Sequence, residues 1–274
     1  MRHSSKNYDW KRFWCPRGAR INLIDGGNLA DPDGPYGDHC NLALRPFGEV
    51  SQLPCLALLG ELGTGKTSTM QAERDAIDAA VLAEGGKTLW LDLRSCGSED
   101  RIVSKLFESP EFAHWAESDY HLHLFLDSLD ECLLRVKTVA ALLIDELRNC
   151  PVERLLLRIG CRTAEWPTNL LETGLKTLWG EEGFGAYELA PLRRVDVASA
   201  AIANGLDPEA FLEAVHEAGT APLAIKPVTL GFLIDSYRTT GEFPTKQADL
   251  YFEGCWRLCE ERNDVASLPD APAN

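Results

Sequence analysis

The chain has 274 residues, of which 45% are hydrophobic, and a formal net charge of −15. A chain of this length can bury a substantial core and divide into two domains, since one domain takes about 100–200 residues. The acidic charge excludes a protein that grips nucleic acid through an overall basic surface, and no uncharged run approaches the ~20 residues of a bilayer span. The nine cysteines are scattered singly, which suggests a reducing compartment. From the cysteines, the charge and the missing bilayer span together, we expect a soluble, cytoplasmic protein without a membrane or nucleic-acid partner.

Residues 1–50 read as an irregular lead-in. The segment DGGNLADPDGPYGDH, residues 25–39, is rich in Gly, Pro, Asp and Asn, which favour loops over helices and strands. The first twenty residues mix basic side chains with aromatic ones. We expect a solvated edge whose aromatic rings dock on the domain, and contact with nucleic acid is the alternative.

Five short apolar runs follow, separated by longer segments with helical periodicity. They are CLALLG (55–60), TLWLDLR (88–94), HLHLFLD (121–127), RLLLRIGCR (154–162) and AYELAPL (186–192). Continuous apolar runs of this length indicate strands covered on both faces, and their alternation with helices indicates parallel pairing. We predict an α/β fold with a mostly parallel five-stranded sheet flanked by helices.

Helix signals continue after the last predicted strand. The segment DPEAFLEAVHEAG begins with Asp207 as N-cap and Pro208 in the first turn, and it closes at Gly219. VTLGFLIDSYRTTG and ADLYFEGCWRLCEER also show helical patterns. We therefore predict an α/β nucleotide-binding domain over 51–193, a small all-helical domain over 194–264 and a flexible tail over 265–274.

The turn after the first predicted strand matches G-x-x-x-x-G-K-[ST], the phosphate-binding loop of P-loop NTPases. Its residues are Gly60, Glu61, Leu62, Gly63, Thr64, Gly65, Lys66 and Thr67, with Ser68 following in the helix. The glycines let backbone N–H groups converge on a phosphate, and the helix adds its positive N-terminal end. Lys66 is expected to reach the β- and γ-phosphates, and Thr67 to ligate Mg²⁺. The alternative is a glycine-tolerant turn without a ligand.

The segment HLHLFLDSLDE supplies carboxylates at the end of another predicted strand. Because the carboxyl ends of parallel strands meet at one edge of the sheet, Asp127 is expected at the edge that carries the phosphate loop, where it would ligate Mg²⁺. Asp130 and Glu131 follow within one turn, and either one would orient or deprotonate an attacking water. For Asp127 the alternative is an ordinary N-cap at a strand end.

The next predicted strand ends in GCRTAEW, and we predict that Arg162 senses the γ-phosphate. One further strand between the two motifs is typical of NTPases in which an acidic residue activates water and the following strand ends in such a sensor. A structural ion pair is the alternative role for Arg162. Arg158 lies inside the apolar run and is the less suitable residue.

With these residues, the chain resembles the NACHT branch of the STAND class of signalling ATPases. The most specific feature is the acidic motif Asp127-Ser128-Leu129-Asp130-Glu131, and GCRTAEW, ELAPLRRVDV and APLAIKPVTLGFL are also similar. The resemblance covers about residues 50–260. Its best-known members are bacterial antiviral sensors and animal innate-immune receptors, in which ADP holds a closed monomer and ATP exchange permits oligomerisation.

The resemblance implies further features of this chain. It implies ATP or ADP with Mg²⁺ as cofactors, homo-oligomers on ATP binding and a protein effector or sensor as partner. A proline of the helical domain contacts the nucleotide in this class; Pro227 matches it, and Pro222 is a second candidate. Members normally carry an effector and a repeat sensor, neither of which is recognisable here, so we expect a fragment or a module that acts with a partner.

These features predict a signalling ATPase that binds Mg-ATP or ADP and hydrolyses ATP slowly, in bacterial defence or signal transduction. The first alternative is a non-catalytic interaction module, or a truncated fragment, that retains ADP. A small-molecule kinase or a GTPase is the second alternative. Against it, the guanine signature N/T-K-x-D has no match at the right spacing, and no arginine-rich lid is evident.

Overall fold

The structure is a computed structural model that describes Tyr8, residues 10–81 and residues 86–244. Its strands are β1 (Phe13–Pro16), β2 (Arg45–Pro46), β3 (Cys55–Leu59), β4 (Lys87–Asp92), β5 (Leu122–Asp127), β6 (Leu155–Cys161) and β7 (Phe184–Leu189). Its α-helices are α1 (Gly37–Cys40), α2 (Phe47–Val50), α3 (Lys66–Val81), α4 (Glu99–Lys105), α5 (Pro110–Ala116), α6 (Val136–Leu147), α7 (Thr173–Trp179), α8 (Arg194–Ala203), α9 (Pro208–Glu217), α10 (Ala221–Ala224) and α11 (Pro227–Thr240). None of the helices in these described ranges has both the length and the apolar composition of a membrane span.

All seven strands form one sheet in the order β2-β1-β7-β3-β6-β5-β4. The five strands from β7 to β4 are mutually parallel, whereas β1 runs antiparallel to β7 and β2 antiparallel to β1. The predicted α/β class and the mostly parallel sheet are confirmed. The predicted number of five strands is wrong, because the sheet has seven.

Both additional strands come from the lead-in that the sequence predicts to be irregular. β1 has four residues and ends in proline, and β2 has two residues. Runs this short are below the length at which alternation of apolar and polar residues identifies a strand. They are held by pairing with the rest of the sheet and by burial, since Trp14 of β1 is fully buried.

The strand order brings three strand ends of the predicted site together. β6 lies between β3 and β5, although it follows both in sequence. Leu59 at the end of β3 is in register with Cys161 of β6, and Leu126 of β5 is in register with Ile159 of β6. Segments that leave β3, β5 and β6 at their carboxyl ends therefore start side by side at one edge of the sheet.

Apolar side chains cover both faces of the sheet, as the continuous apolar runs predict. One face packs on α6 through residues such as Leu157, Ile159 and Leu143, in the largest cluster of buried residues. The opposite face packs on α3, and a second cluster there includes Leu58, Phe125, Met70, Trp14 and Phe47. The helix that follows the phosphate loop is thus anchored to the sheet by Met70, four residues after Lys66.

The chain forms two compact units. One comprises residues 11–21 and 38–190 and contains the sheet; of the described residues, the other comprises Tyr8, Trp10, 22–37 and 191–244. The second unit contains α8 to α11 around a core of its own that includes Phe211, Leu230 and Leu233. The predicted domain limits at residues 50, 193 and 264 stay predictions.

Several predicted helix ends agree with the structure. Asp207 caps α9 by accepting a hydrogen bond from the Ala210 amide at 2.8 Å, and Pro208 is its first residue. α11 ends before Gly241, which is left-handed with φ of 75°. The predicted helix ADLYFEGCWRLCEER and the predicted tail 265–274 lie outside the described residues.

Candidate functional site

The loop Gly60–Gly65 joins the buried strand β3 to the helix α3, as the motif predicts. Gly63 and Gly65 have φ of 76° and 84°, a left-handed conformation that side chains with a Cβ rarely adopt. At Gly60 the constraint is space, because a Cβ would lie 2.9 Å from the Thr64 hydroxyl. The backbone path of the loop therefore favours glycine at all three positions, two of which belong to the motif.

The predicted phosphate-binding residues form one continuous segment that is accessible from outside. Glu61, Leu62 and Ser68 are exposed, and the residues from Gly63 to Thr67 are partly exposed. The loop is closed by Thr64, whose amide and hydroxyl both donate to the Glu61 carbonyl, at 3.4 and 2.9 Å. Lys66 and Thr67 are the first two residues of α3, so they stand at the positive end of the helix.

Asp127 is the last residue of β5 and is completely buried. Within the described part of the chain, neither of its carboxylate oxygens has a hydrogen-bond partner. A buried carboxylate without such partners costs several kcal/mol, more than the ~1–3 kcal/mol of a neutral polar group, so proteins normally pair it or use it to ligate a cation. Carboxylate and hydroxyl oxygens are the donors that Mg²⁺ accepts.

Asp127 also lies on the side of α3 that carries Thr67. A Cβ placed on Gly160 of β6 would be 2.6 Å from Asp127 Oδ1 and 2.9 Å from Met70 Sδ, so the Asp127 carboxylate and the Met70 side chain flank the same point. Thr67 precedes Met70 by three residues and shares its face of the helix. The predicted metal ligands Thr67 and Asp127 are therefore on the same face of the α3 start.

Gly160 is a site residue that sequence reasoning missed. It stands in register with Leu58 of β3, and its missing side chain leaves the space that the Asp127 carboxylate occupies. The available signal was a glycine inside the apolar run RLLLRIGCR, since glycine weakens a strand and often marks a close approach.

We predict that Gly160→Ala destabilises the protein by about 1–3 kcal/mol, the usual cost of overpacking a core, and displaces Asp127. Urea unfolding measures the first effect. The matched control is Gly231→Ala in α11, where a Cβ would meet nothing within 4 Å. This substitution should stabilise the protein by ~0.5–1 kcal/mol, because alanine favours a helix over glycine. A Gly160→Ala variant as stable as wild type would contradict the packing argument.

The chain turns sharply between Asp127 and Asp130. Ser128 adopts a left-handed conformation with φ of 60°, and it is the one non-glycine residue with positive φ in the described ranges. A 3-10 turn over Leu129–Glu131 follows. Such strained residues are concentrated at functional sites, where the surrounding structure fixes them. This turn carries Asp130 back toward the end of β6.

Asp130 is bound by Arg162 through two contacts. Asp130 Oδ1 accepts the Arg162 amide at 2.7 Å, and Oδ2 accepts Arg162 Nε in a salt bridge. Burial alone would raise the pKa of Asp130, but the hydrogen bonds from Arg162 and the charge of Lys66 outweigh burial and hold it below its ordinary value. The predicted site residues Lys66, Asp130 and Arg162 are thus brought together, and Arg162 makes the ion pair that the alternative reading expects.

We expect Arg162→Ala to lower stability most near neutral pH. Asp130 stabilises the fold above its unfolded pKa, and this contribution is lost as pH falls through its lower folded pKa. The expected loss is about 1–2 kcal/mol at neutral pH, allowing for screening at the partly exposed Arg162. Urea unfolding from about pH 7 to pH 3, across the ordinary Asp pKa of ~3.9, tests the convergence with wild type.

The control for this pair is Arg148→Ala. Arg148 binds Asp145 at 2.9 Å, but their side chains are 61% and 71% exposed. Its removal should change stability by less than ~0.5 kcal/mol at any pH. A pH-independent loss in Arg162→Ala would show that the guanidinium acts through packing instead of through Asp130.

Glu131 is held less tightly than Asp130. Its side chain is 37% exposed, and its carboxylate lies 3.9 Å from Arg94, a residue the sequence reasoning did not select. Arg94 is bound by Asp92, with Nη2 to Oδ2 at 2.7 Å, and Asp92 is in register with Asp127. The hydrogen bond from Arg94 holds the pKa of Asp92 below its ordinary value despite partial burial.

The remaining candidates lie on β6 and on two helices of the second unit. Arg158, the less suitable sensor, is buried in β6 and donates to the backbone carbonyls of Ser51 and Pro54 at 2.8 and 3.1 Å. Pro227 is the first residue of α11 and Pro222 lies in the first turn of α10, both in the second unit. Their contact with a nucleotide stays a prediction.

No protein-family model and no curated protein match the chain. Among solved structures, it is similar to the Aeropyrum pernix ORC1 protein in complex with DNA, with 14% identity, a TM-score of 0.49 and coverage of 96% of this chain and 74% of that one. The chain is also similar to the replication initiator DnaA bound to AMPPCP and single-stranded DNA, with 13% identity, a TM-score of 0.45 and coverage of 78% of this chain and 61% of that one. A third similar structure is the Walker-type ATPase paby2304 of Pyrococcus abyssi, with 15% identity, a TM-score of 0.43 and coverage of 80% of this chain and 72% of that one. At these identities and TM-scores, the likenesses carry no argument about the function of this chain.

Proposed function

We propose that this chain binds ATP or ADP with Mg²⁺ at the Gly60–Ser68 loop and hydrolyses ATP slowly. The observation that carries the proposal is the buried Asp127 carboxylate, whose oxygens have no hydrogen-bond partner in the described ranges, beside the start of α3. A phosphate loop without a ligand gives no reason for such a group. A Mg-nucleotide gives one, since a cation at this place compensates the carboxylate.

Each site residue has a role in this proposal. The backbone N–H groups of the loop and Lys66 hold the phosphates, while the Thr67 hydroxyl and Asp127 hold Mg²⁺, which neutralises phosphate charge when it is bound. No cluster of three or more His, Cys, Asp or Glu that could hold a metal occurs among the described residues. Mg²⁺ takes one or two protein ligands and completes its shell with phosphate oxygens and water.

Glu131 is the better candidate for orienting the attacking water. Both oxygens of Asp130 are engaged by Arg162, and its side chain is 1% exposed. The Glu131 carboxylate is partly exposed, and its ion pair with Arg94 is long, at 3.9 Å. In this proposal Asp130 holds Arg162 at the end of β6, where its guanidinium would face the γ-phosphate. This division of roles refines the sequence prediction, which left the two acidic residues equal.

The finer proposal is a switch of the NACHT type, acting in bacterial defence or signal transduction. It is supported by the motif Asp127-Ser128-Leu129-Asp130-Glu131 and by the left-handed Ser128, a position where a small residue is favoured. In this proposal ATP binding promotes a homo-oligomer, a protein effector or sensor is the partner, and Pro227 or Pro222 contacts the nucleotide.

A second candidate function is a non-catalytic module that retains ADP. The observation in its favour is that arginines engage both acidic side chains, Asp130 through Arg162 and Glu131 through Arg94. A measurement of ATP turnover separates the slow ATPase from the module that retains ADP.

Phosphate release and nucleotide binding, measured together, test hydrolysis. We expect Glu131→Gln to bind Mg-ATP as wild type does and to release phosphate on the order of 10²-fold more slowly, as for loss of a general base. Glu213→Gln, an exposed position on α9, should leave both unchanged. Wild-type phosphate release no faster than that of Glu131→Gln would favour the ADP-retaining module.

A further inference from the structure

The phosphate loop is held from outside the motif by an arginine of the N-terminal segment. Arg12 directly precedes β1, and its guanidinium Nη1 donates to the Thr64 carbonyl at 3.1 Å. The other terminal nitrogen, Nη2, donates to the Ala190 carbonyl at 2.8 Å. The two acceptors are 52 and 178 residues away in sequence. Arg12 therefore bridges the loop to the segment that follows β7.

The bond to Thr64 fixes a peptide plane inside the loop. The structure has no cis peptide bond in the described ranges, so the Thr64 carbonyl and the Gly65 N–H point to opposite sides of their shared plane. With the carbonyl directed at Arg12, the Gly65 N–H is directed away from Arg12. In phosphate loops of this motif, the N–H groups on the inner side bind the phosphates.

The charge of Arg12 adds to this orientation. A hydrogen bond from a charged donor polarises the peptide it binds and makes the N–H on the other side of that peptide a stronger donor. Gly65 can take the required conformation, with φ of 84°, because it lacks a side chain. The same peptide is thus oriented by Arg12 and permitted by Gly65.

The position of Arg12 is itself fixed by the sheet. Trp14 is in register with Leu189 of β7, and the Ala190 amide donates to the Phe13 carbonyl at 2.9 Å. Gly60 lies close to the same strand, since a Cβ on it would be 3.6 Å from Leu189 Cβ. The Arg12 side chain therefore reaches the loop from a strand, β1, that is hydrogen-bonded to the end of β7.

We propose that Arg12 is a positioning residue of the phosphate site, which presets the Gly65 N–H for the phosphates of a bound nucleotide. The inference rests on the proposed function and goes beyond it, because Arg12 lies outside the motif and acts on the loop through the Thr64 carbonyl. Lysine would not replace it fully, since its single ammonium lacks the planar fork that serves two carbonyls at once.

The test compares Arg12→Ala and Arg12→Lys with Arg17→Ala. Arg17 lies just after β1 and binds the side chains of Thr168 and Glu172, away from the loop. We expect Mg-ATP binding to weaken by about tenfold in Arg12→Ala, as for a site that loses preorganisation, less in Arg12→Lys, and not in Arg17→Ala. The readout specific to positioning is the NMR resonance of the Gly65 amide in the nucleotide-free protein. It should shift in Arg12→Ala and Arg12→Lys but not in Arg17→Ala.

The outcomes separate this inference from the proposed function. If wild type binds no Mg-ATP, both fall. If wild type binds and Lys66→Ala does not, but both Arg12 variants bind as wild type does, only the role of Arg12 is overturned. Equal weakening in Arg12→Ala and Arg17→Ala, or an unshifted Gly65 resonance, would also overturn it. If Arg12→Ala does not fold, the affinity and the Gly65 resonance of Arg12→Lys decide.

Discussion

Asp127→Asn is expected to raise the stability of the nucleotide-free protein and to abolish the effect of Mg²⁺ on nucleotide binding. The Asp127 oxygens are buried and without hydrogen-bond partners among the described residues, so the free protein carries the cost of a desolvated charge. A neutral amide of the same shape removes the charge and leaves a less costly polar group, and we expect a gain of about 1–3 kcal/mol in the free energy of unfolding. The same change removes the proposed metal ligand.

The opposite signs of the two effects make this variant informative. A merely structural Asp127 would lose stability on substitution and leave the Mg²⁺ dependence intact. Urea unfolding and ATP titrations with and without Mg²⁺ measure the two effects. The control is Asp119→Asn, an exposed position where stability should change by less than ~0.5 kcal/mol. Lower stability together with retained Mg²⁺ dependence would remove Asp127 from the site.

Lys66→Ala is expected to weaken ATP binding on the order of 10³-fold. Lys66 is the first residue of α3, and its ammonium would make charge-assisted hydrogen bonds to two phosphates, each worth ~2 kcal/mol. Because alanine is a good helix former and Lys66 is only partly buried, the fold should be retained. Equilibrium titration with labelled ATP measures the loss.

The matched control is Lys137→Ala on α6. Lys137 is exposed and lies in the same unit as Lys66. Its replacement by alanine lowers the positive charge of this unit by the same amount as Lys66→Ala does. It should bind ATP as wild type does. Equal affinity of wild type and Lys66→Ala would mean that ATP binds elsewhere or that the loop has no role in binding.

The sequence predicts most of the parallel sheet because β3 to β7 are apolar runs of five to seven residues. It also predicts the phosphate loop, whose spacing and glycines are local properties. β1 and β2 escape prediction because segments of four and two residues carry too little pattern. Their burial depends on partners far away in sequence, as the register of Trp14 with Leu189 illustrates.

The parts of the site that were missed depend on contacts between strands. Gly160 matters because β6 lies beside β5, and Arg94 because it follows β4 beside Asp127. The binding of Asp130 to Arg162 requires the left-handed turn at Ser128, which no apolar pattern reveals. Motif spacing identifies residues that face one ligand, whereas the side chains that hold those residues in place become visible only with the sheet order.

The central claim is that one Mg-nucleotide binds at the loop between β3 and α3. Native mass spectrometry with Mg²⁺ and with ATP at about ten times the wild-type Kd, where a site weakened about 10³-fold would be only about 1% occupied, tests it most directly. We predict one adduct with the mass of Mg-ATP or Mg-ADP per chain in wild type and Lys137→Ala, and none in Lys66→Ala. Absence of the adduct in wild type, or its persistence in Lys66→Ala, would contradict the claim.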